Sequence, residues 1–174
     1  PEPLDSQAVE ELSVLLSGRA GTTDLFILTD FGFGVMGSSL IDAIMPEIRA
    51  AGCFVSADVS GTQSSLLRFT GVDLICPTER EARSAVGEFG VGLGAVMSRL
   101  LDRLHVREAV ITLGRQGALT FARSHEEPSA RLASEYIPAT ARNAIDPLGC
   151  GDALLAYASA ARASGAGLVE SALI

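Results

Sequence analysis

The segment Asp146-Pro147-Leu148-Gly149-Cys150-Gly151-Asp152 brings two acids and two glycines together just ahead of an alanine-rich run, Ala153 to Ala158, that predicts a helix. Glycines let successive backbone N–H groups turn toward an anion, and a helix N-terminus adds partial positive charge. The same dipole holds a first-turn carboxylate in its ionised form, so Asp152 is placed to accept a proton beside a bound anion. An acid next to an anion cradle suits phosphoryl transfer to an alcohol. A second reading is that Asp152 merely caps a helix after a glycine turn. Spacing alone balances the two.

Other segments offer chemistry and need weighing. Thr29-Asp30-Phe31-Gly32-Phe33-Gly34 is a glycine-rich turn after an apolar run, and Cys53 to Asp58 is another run that ends in an acid. In open α/β sheets, ligands bind where strands end. Pro77-Thr78-Glu79-Arg80-Glu81 places acids in a first helical turn. Gly90-Val91-Gly92-Leu93-Gly94-Ala95 matches the dinucleotide fingerprint, but that fingerprint needs a strand immediately before it. The residues ahead of it, Glu79 to Val86, have a helical pattern, so Gly87 and Gly90 are expected to cap and link two helices. Cys53, Cys76 and Cys150 form no C-x-x-C pair, and His105 and His125 have no metal-ligand spacing, which argues against zinc.

Around these candidates the pattern predicts alternating strands and helices. A helix is expected over 6–17, with Ser6 as its cap and Gly18 and Gly21 at its end. Strands are expected at 25–28, 53–58, 72–76 and 109–113. Leu40, Ile41, Ile44, Met45 and Ile48 mark a second helix capped by Ser38 or Ser39, kinked or restarted at Pro46 and stopped by Gly52. Leu93, Val96, Met97, Leu100, Leu101 and Leu104 form one stripe on residues 93–104, read as a core face. The turn 114–117 suggests a hairpin into 118–121, and 131–137 reads as an edge strand. The expected architecture is one open, mostly parallel, doubly wound sheet with helices on both faces and an antiparallel edge near 112–137.

Composition narrows the partners. A formal net charge of −8 and a pI near 4.7 argue against nucleic acid or an anionic membrane, and no run approaches a membrane span. Three cysteines with no signal peptide fit a cytoplasmic protein. With 174 residues and 48% hydrophobic content, a single domain with a sizeable core is expected.

Taken together, the motifs resemble the ribokinase-like (PfkB) carbohydrate kinases, and among them the heptose 7-phosphate kinase domain. Residues 146–152 are similar to the D-x-x-G-A-G-D signature, and 77–81 to the P-N-x-x-E segment. Val110-Ile111-Thr112-Leu113-Gly114 with Gly117 is similar to V-T-x-G-x-x-G, and 29–34 to S-D-Y-x-K-G. Ala141-Arg142 fits the same subgroup. The resemblance implies ATP and Mg²⁺ as cofactors and a sugar or sugar phosphate as acceptor. It implies Asp152 as general base, with Gly149, Cys150 and Gly151 as the anion hole. Thr112, Gly114 and Gly117 would line the nucleotide, Glu81 would organise Mg²⁺, and Asp146 would brace the loop near a monovalent cation. It also implies that residues 1–174 are the C-terminal part of one kinase domain, without the sugar-binding N-terminal part and lid through which such kinases pair as homodimers. The chain departs from the family at Cys150 (alanine), Thr78 (asparagine), and Phe33 and Ser60 (lysines). The alternative these departures raise is a weak or inactive relative that binds nucleotide or a protein partner.

Overall fold

A computed structural model describes residues 2–60, 65–124, 131–140 and 148–173. The chain runs α1 (Ser6–Ala20), β1 (Leu25–Asp30), α2 (Ser38–Ala50), β2 (Phe54–Val59) and β3 (Leu74–Ile75). It continues through α3 (Glu79–Val86), α4 (Leu93–Leu104), β4 (Glu108–Thr112), β5 (Ala118–Ala122), β6 (Ala133–Ile137), α5 (Cys150–Ala163) and α6 (Leu168–Ala172). The strands form one sheet in the order β1-β2-β3-β4-β5-β6. β1 to β4 are parallel; β5 and β6 continue antiparallel, with Thr112 opposite Ala118 and Ala118 opposite Ile137.

Side-chain alternation along the strands sorts the core into two layers. Val55, Ala57, Ile75 and Ala109 join Ile41, Ile44, Val96, Leu100 and Leu104 of the helices on one face. Leu74, Cys76 and Val110 meet Leu155 and Ala158 of α5 and Ala172 of α6 on the other. Successive parallel strands laid side by side in one direction send their crossover helices to a single face. The opposite face is left for α5, which packs on β1 and β2. The expected fold class and antiparallel edge are both present.

Several local expectations give way. Asp5, not Ser6, caps α1, its carboxylate accepting from the Ala8 N–H at 2.8 Å. Gly18 lies inside that helix, which Gly21 ends. Gly37 rather than Ser38 or Ser39 caps α2, and Pro46 sits within a helix that continues to Ala50. One missing N–H is tolerated there because the apolar stripe Leu40, Ile41, Ile44 and Ile48 anchors both sides of it. β3 shrinks to two residues. The dinucleotide-like segment lies between α3, ended by Gly87 in the left-handed conformation (φ 73°), and α4, capped by Gly92. No strand precedes it, so it cannot cradle a pyrophosphate.

Candidate active site

The candidate residues collect where the parallel strands end. Pro77 follows β3 after one residue, Cys76, and Thr78 starts α3 through a capping box. The Thr78 backbone N–H and hydroxyl each donate to Oε2 of Glu81 at 2.8 Å, while the Glu81 N–H donates to the Thr78 hydroxyl at 3.2 Å. Threonine therefore takes over the capping role at the position of the family's asparagine, and it fixes the Glu81 carboxylate. Thr78 also bridges to Thr112, whose N–H donates to the Pro77 carbonyl at 3.1 Å. Glu81 and the end of β4 are thereby locked together. A cleft of about 380 Å³ opens beside them, lined by Thr78, Arg80, Phe89, Thr112, Leu113 and Gly114.

Beyond Thr112 the chain turns tightly. Gly114 has φ 59°, Gly117 has φ 93° and ψ −137°, and the Leu113 N–H donates to the Gly117 carbonyl at 2.8 Å. A Cβ on Gly117 would lie 2.0 Å from the Ile137 carbonyl oxygen, so only glycine lets this turn seat against the end of β6.

At the start of α5, Gly149 takes the N-cap position in the left-handed conformation (φ 78°), and its own side chain, a hydrogen, cannot cap the helix. The Ala153 N–H closes on the Gly149 carbonyl at 2.9 Å, and Asp152 falls in the first turn. Gly149, Cys150, Gly151 and Asp152 are all exposed. An exposed helix start that opens on glycine presents backbone N–H groups on the side from which an anion would approach. Asp146 lies outside the described residues.

Asp58, at the end of β2, is a residue that sequence reading passed over. It is 8% exposed, and its Oδ1 has no hydrogen-bond partner. Burial raises its pKa from 3.8 to about 7; a hydrogen bond with the Val59 backbone opposes this, and the charges of Glu81 and Asp152 add to it. The structure thus gathers three carboxylates, from β2, α3 and α5. The available signal was its place: an acid ending a parallel strand. Because its folded pKa is raised, Asp58 costs stability as pH climbs from about 4 through about 7. Asp58→Asn removes that cost. The variant should match wild type near pH 4 and exceed it above pH 7 by at most about 4 kcal/mol in metal-free urea melts. A variant less stable than wild type at pH 8 would mean that the carboxylate has a stabilising partner.

Asp30, by contrast, is consumed by its own loop. Its carboxylate pairs with Arg68 at 2.9 Å and accepts from the Gly32 N–H at 2.8 Å. Phe33, where the resemblance expects lysine, is 71% exposed.

For a divalent ion, the orphaned Asp58 oxygen beside Glu81 and Asp152 supplies hard oxygen donors of the right charge. Among the described residues no three side chains converge as a ready-made cage. That fits Mg²⁺, which is bound through one or two carboxylates together with water and substrate phosphates.

The chain is 29% identical over 173 residues to "Bifunctional protein HldE" of Pelobacter propionicus, covering 98% of this chain and 34% of that protein. The protein of the same name from Paramagnetospirillum magneticum is 29% identical over 174 residues, with 98% and 33% covered. Among solved structures, Escherichia coli phosphofructokinase-2 with potassium superposes at TM-score 0.79 and 15% identity, over 98% of this chain and 53% of that one. Thermotoga maritima ribokinase does so at TM-score 0.65 and 18% identity, over 90% and 49%. The chain spans about a third of the curated relatives it matches and about half of the solved structures. The family model of pfkB carbohydrate kinases matches residues 41–174, from α2 through the glycine-led start of α5 and beyond, and by that match the chain belongs to the pfkB family of carbohydrate kinases.

Proposed function

We propose that the protein transfers the γ-phosphoryl group of ATP to a hydroxyl of a sugar or sugar phosphate, and that these residues form the C-terminal part of one ribokinase-like domain. The observation that carries this reading is Asp152 in the first turn of a helix that opens on Gly149, close enough to Asp58 to raise its pKa. Asp152 accepts the proton of the acceptor hydroxyl as its oxygen attacks. The N–H groups of Gly149, Cys150 and Gly151 hold the charge on the transferring group. Thr112, Gly114 and Gly117 line the nucleotide, and Asp146 braces the loop beside a monovalent cation. Glu81, oriented by Thr78, holds Mg²⁺ with help from Asp58; when bound, the ion neutralises charge on the phosphate oxygens. The similarity of residues 29–34 and 141–142 to segments of the heptose 7-phosphate kinases supports a heptose phosphate as acceptor.

A second reading, a relative that binds nucleotide with little turnover, rests on exposed Phe33 and on Ser60 where the resemblance expects lysines.

Thermal-shift titration separates kinase from dehydrogenase. Mg-ATP at a hundred-fold excess over its Kd should stabilise the protein by about 2.7 kcal/mol, several degrees in Tm, with no response to NAD. Coupled ADP release with a sugar-phosphate panel then distinguishes turnover from binding alone. A shift with NAD and none with Mg-ATP would overturn the kinase reading.

A further inference from the structure

α5 meets the sheet through one stripe. Asp152, Leu155, Ser159 and Arg162 recur at spacings of three and four, which puts them on one helical face. Leu155 enters the apolar layer under the sheet, but the next two contacts are polar. Ser159 and Ser56 are each 0% exposed, and their hydroxyl oxygens are 2.7 Å apart. Arg162 grips Glu108 at the start of β4 with two hydrogen bonds of 2.7 Å.

Along α5 the serine pair lies between the Arg162–Glu108 pair and the end that carries Asp152. Ser56 precedes Asp58 by two residues, so both project to the same side of β2. Ser159 follows Asp152 by seven residues, two helical turns along the same face. Burying two hydroxyls where alanine would pack costs free energy unless each satisfies the other. Apolar contacts such as Leu155 and Ala158 tolerate a small roll or slide of a helix, whereas a 2.7 Å hydrogen bond does not.

We propose that Ser56 and Ser159 are positioning residues for phosphoryl transfer. Their bond sets the rotation and height of α5 on β2, which holds Asp152 beside Asp58 and aims the 149–151 turn at the reacting group. The inference rests on the kinase reading above. Misplacement of a catalytic group by about 1 Å costs on the order of a hundred-fold in rate. In the intact protein, Ser159→Ala should therefore lower kcat by about ten- to a hundred-fold and leave KM for Mg-ATP within about two-fold of wild type.

The decisive comparison repeats Ser159→Ala in the Asp152→Asn background. Acting through Asp152, it should have little further effect there; an equal fold-loss in both backgrounds would overturn the proposal. Ser56→Ala/Ser159→Ala should be no slower than either single variant, and additive losses would also count against a paired role. A readout independent of activity is amide hydrogen exchange. It should accelerate at residues 150–156 in Ser159→Ala and stay unchanged in β4, and unchanged exchange in α5 would sink the idea. Wild-type protein without turnover defeats the kinase reading alone, and the exchange result still decides the pin.

Discussion

Asp152→Asn should lower phosphoryl transfer in the intact protein by about 10²–10⁴-fold while stabilisation by Mg-ATP persists. Asparagine keeps the size of the side chain and its place in the first turn of α5, but it cannot take a proton. The groups assigned to the nucleotide, Thr112, Gly114 and Gly117, belong to β4 and the turn after it, so the substitution leaves them in place. Loss of rate with retained binding is what a proton acceptor predicts; loss of both would mean that the Asp152 carboxylate holds the turn itself instead of taking a proton. Stopped assays of ADP release, run beside thermal-shift titration, resolve the two. Equal rates for variant and wild type would remove Asp152 from the mechanism.

Gly117→Ala should be among the most damaging single substitutions to the fold. Gly117 has φ 93° and ψ −137°, backbone territory that a residue with a Cβ enters at a cost of about 1–3 kcal/mol. The added methyl would also lie 2.0 Å from the Ile137 oxygen, 2.7 Å from the Ala139 nitrogen and 2.9 Å from the Pro138 carbonyl carbon, all backbone atoms. Strain and displacement together should exceed about 3 kcal/mol, a large share of a typical domain's stability. Gly114→Ala is the control. Its φ is 59° and an added Cβ would meet nothing within 4 Å, so only the left-handed cost of about 1–2 kcal/mol applies. Urea midpoints at constant m-value measure both. If the two variants lose the same stability, the contact with Ile137 does not hold this turn.

Much of this site was legible in the sequence because its parts are local. Gly149 and Gly151 before an alanine-rich helix, the capping pair Thr78 and Glu81, and the glycines after Thr112 each carry their own backbone instructions. What was not legible depends on distant partners. Asp58 looked like any strand-ending acid until burial and the charges of Glu81 and Asp152 were seen to converge on it. Asp30 looked equally available, yet Arg68, 38 residues away, occupies it. The caps of α1 and α2 were missed by one residue because serine next to aspartate or glycine leaves the choice to the incoming chain direction. Pro46 starts no new helix because propensity acts at one residue, while α2 is held across it by a stripe of four.

The strand order has a consequence for how the molecule comes together. β1, β2 and β3 can pair as each follows the last, with crossovers made from their own neighbourhoods. α5 follows the antiparallel edge in the chain yet packs back on β1 and β2, and its contact from Ser159 to Ser56 closes a loop of 103 residues. Late, long-range docking is paid for in chain entropy after the rest of the sheet exists. The helix that carries Asp152 therefore docks on strands made long before it, through a contact whose closure entropy is set by the 103 residues between Ser56 and Ser159.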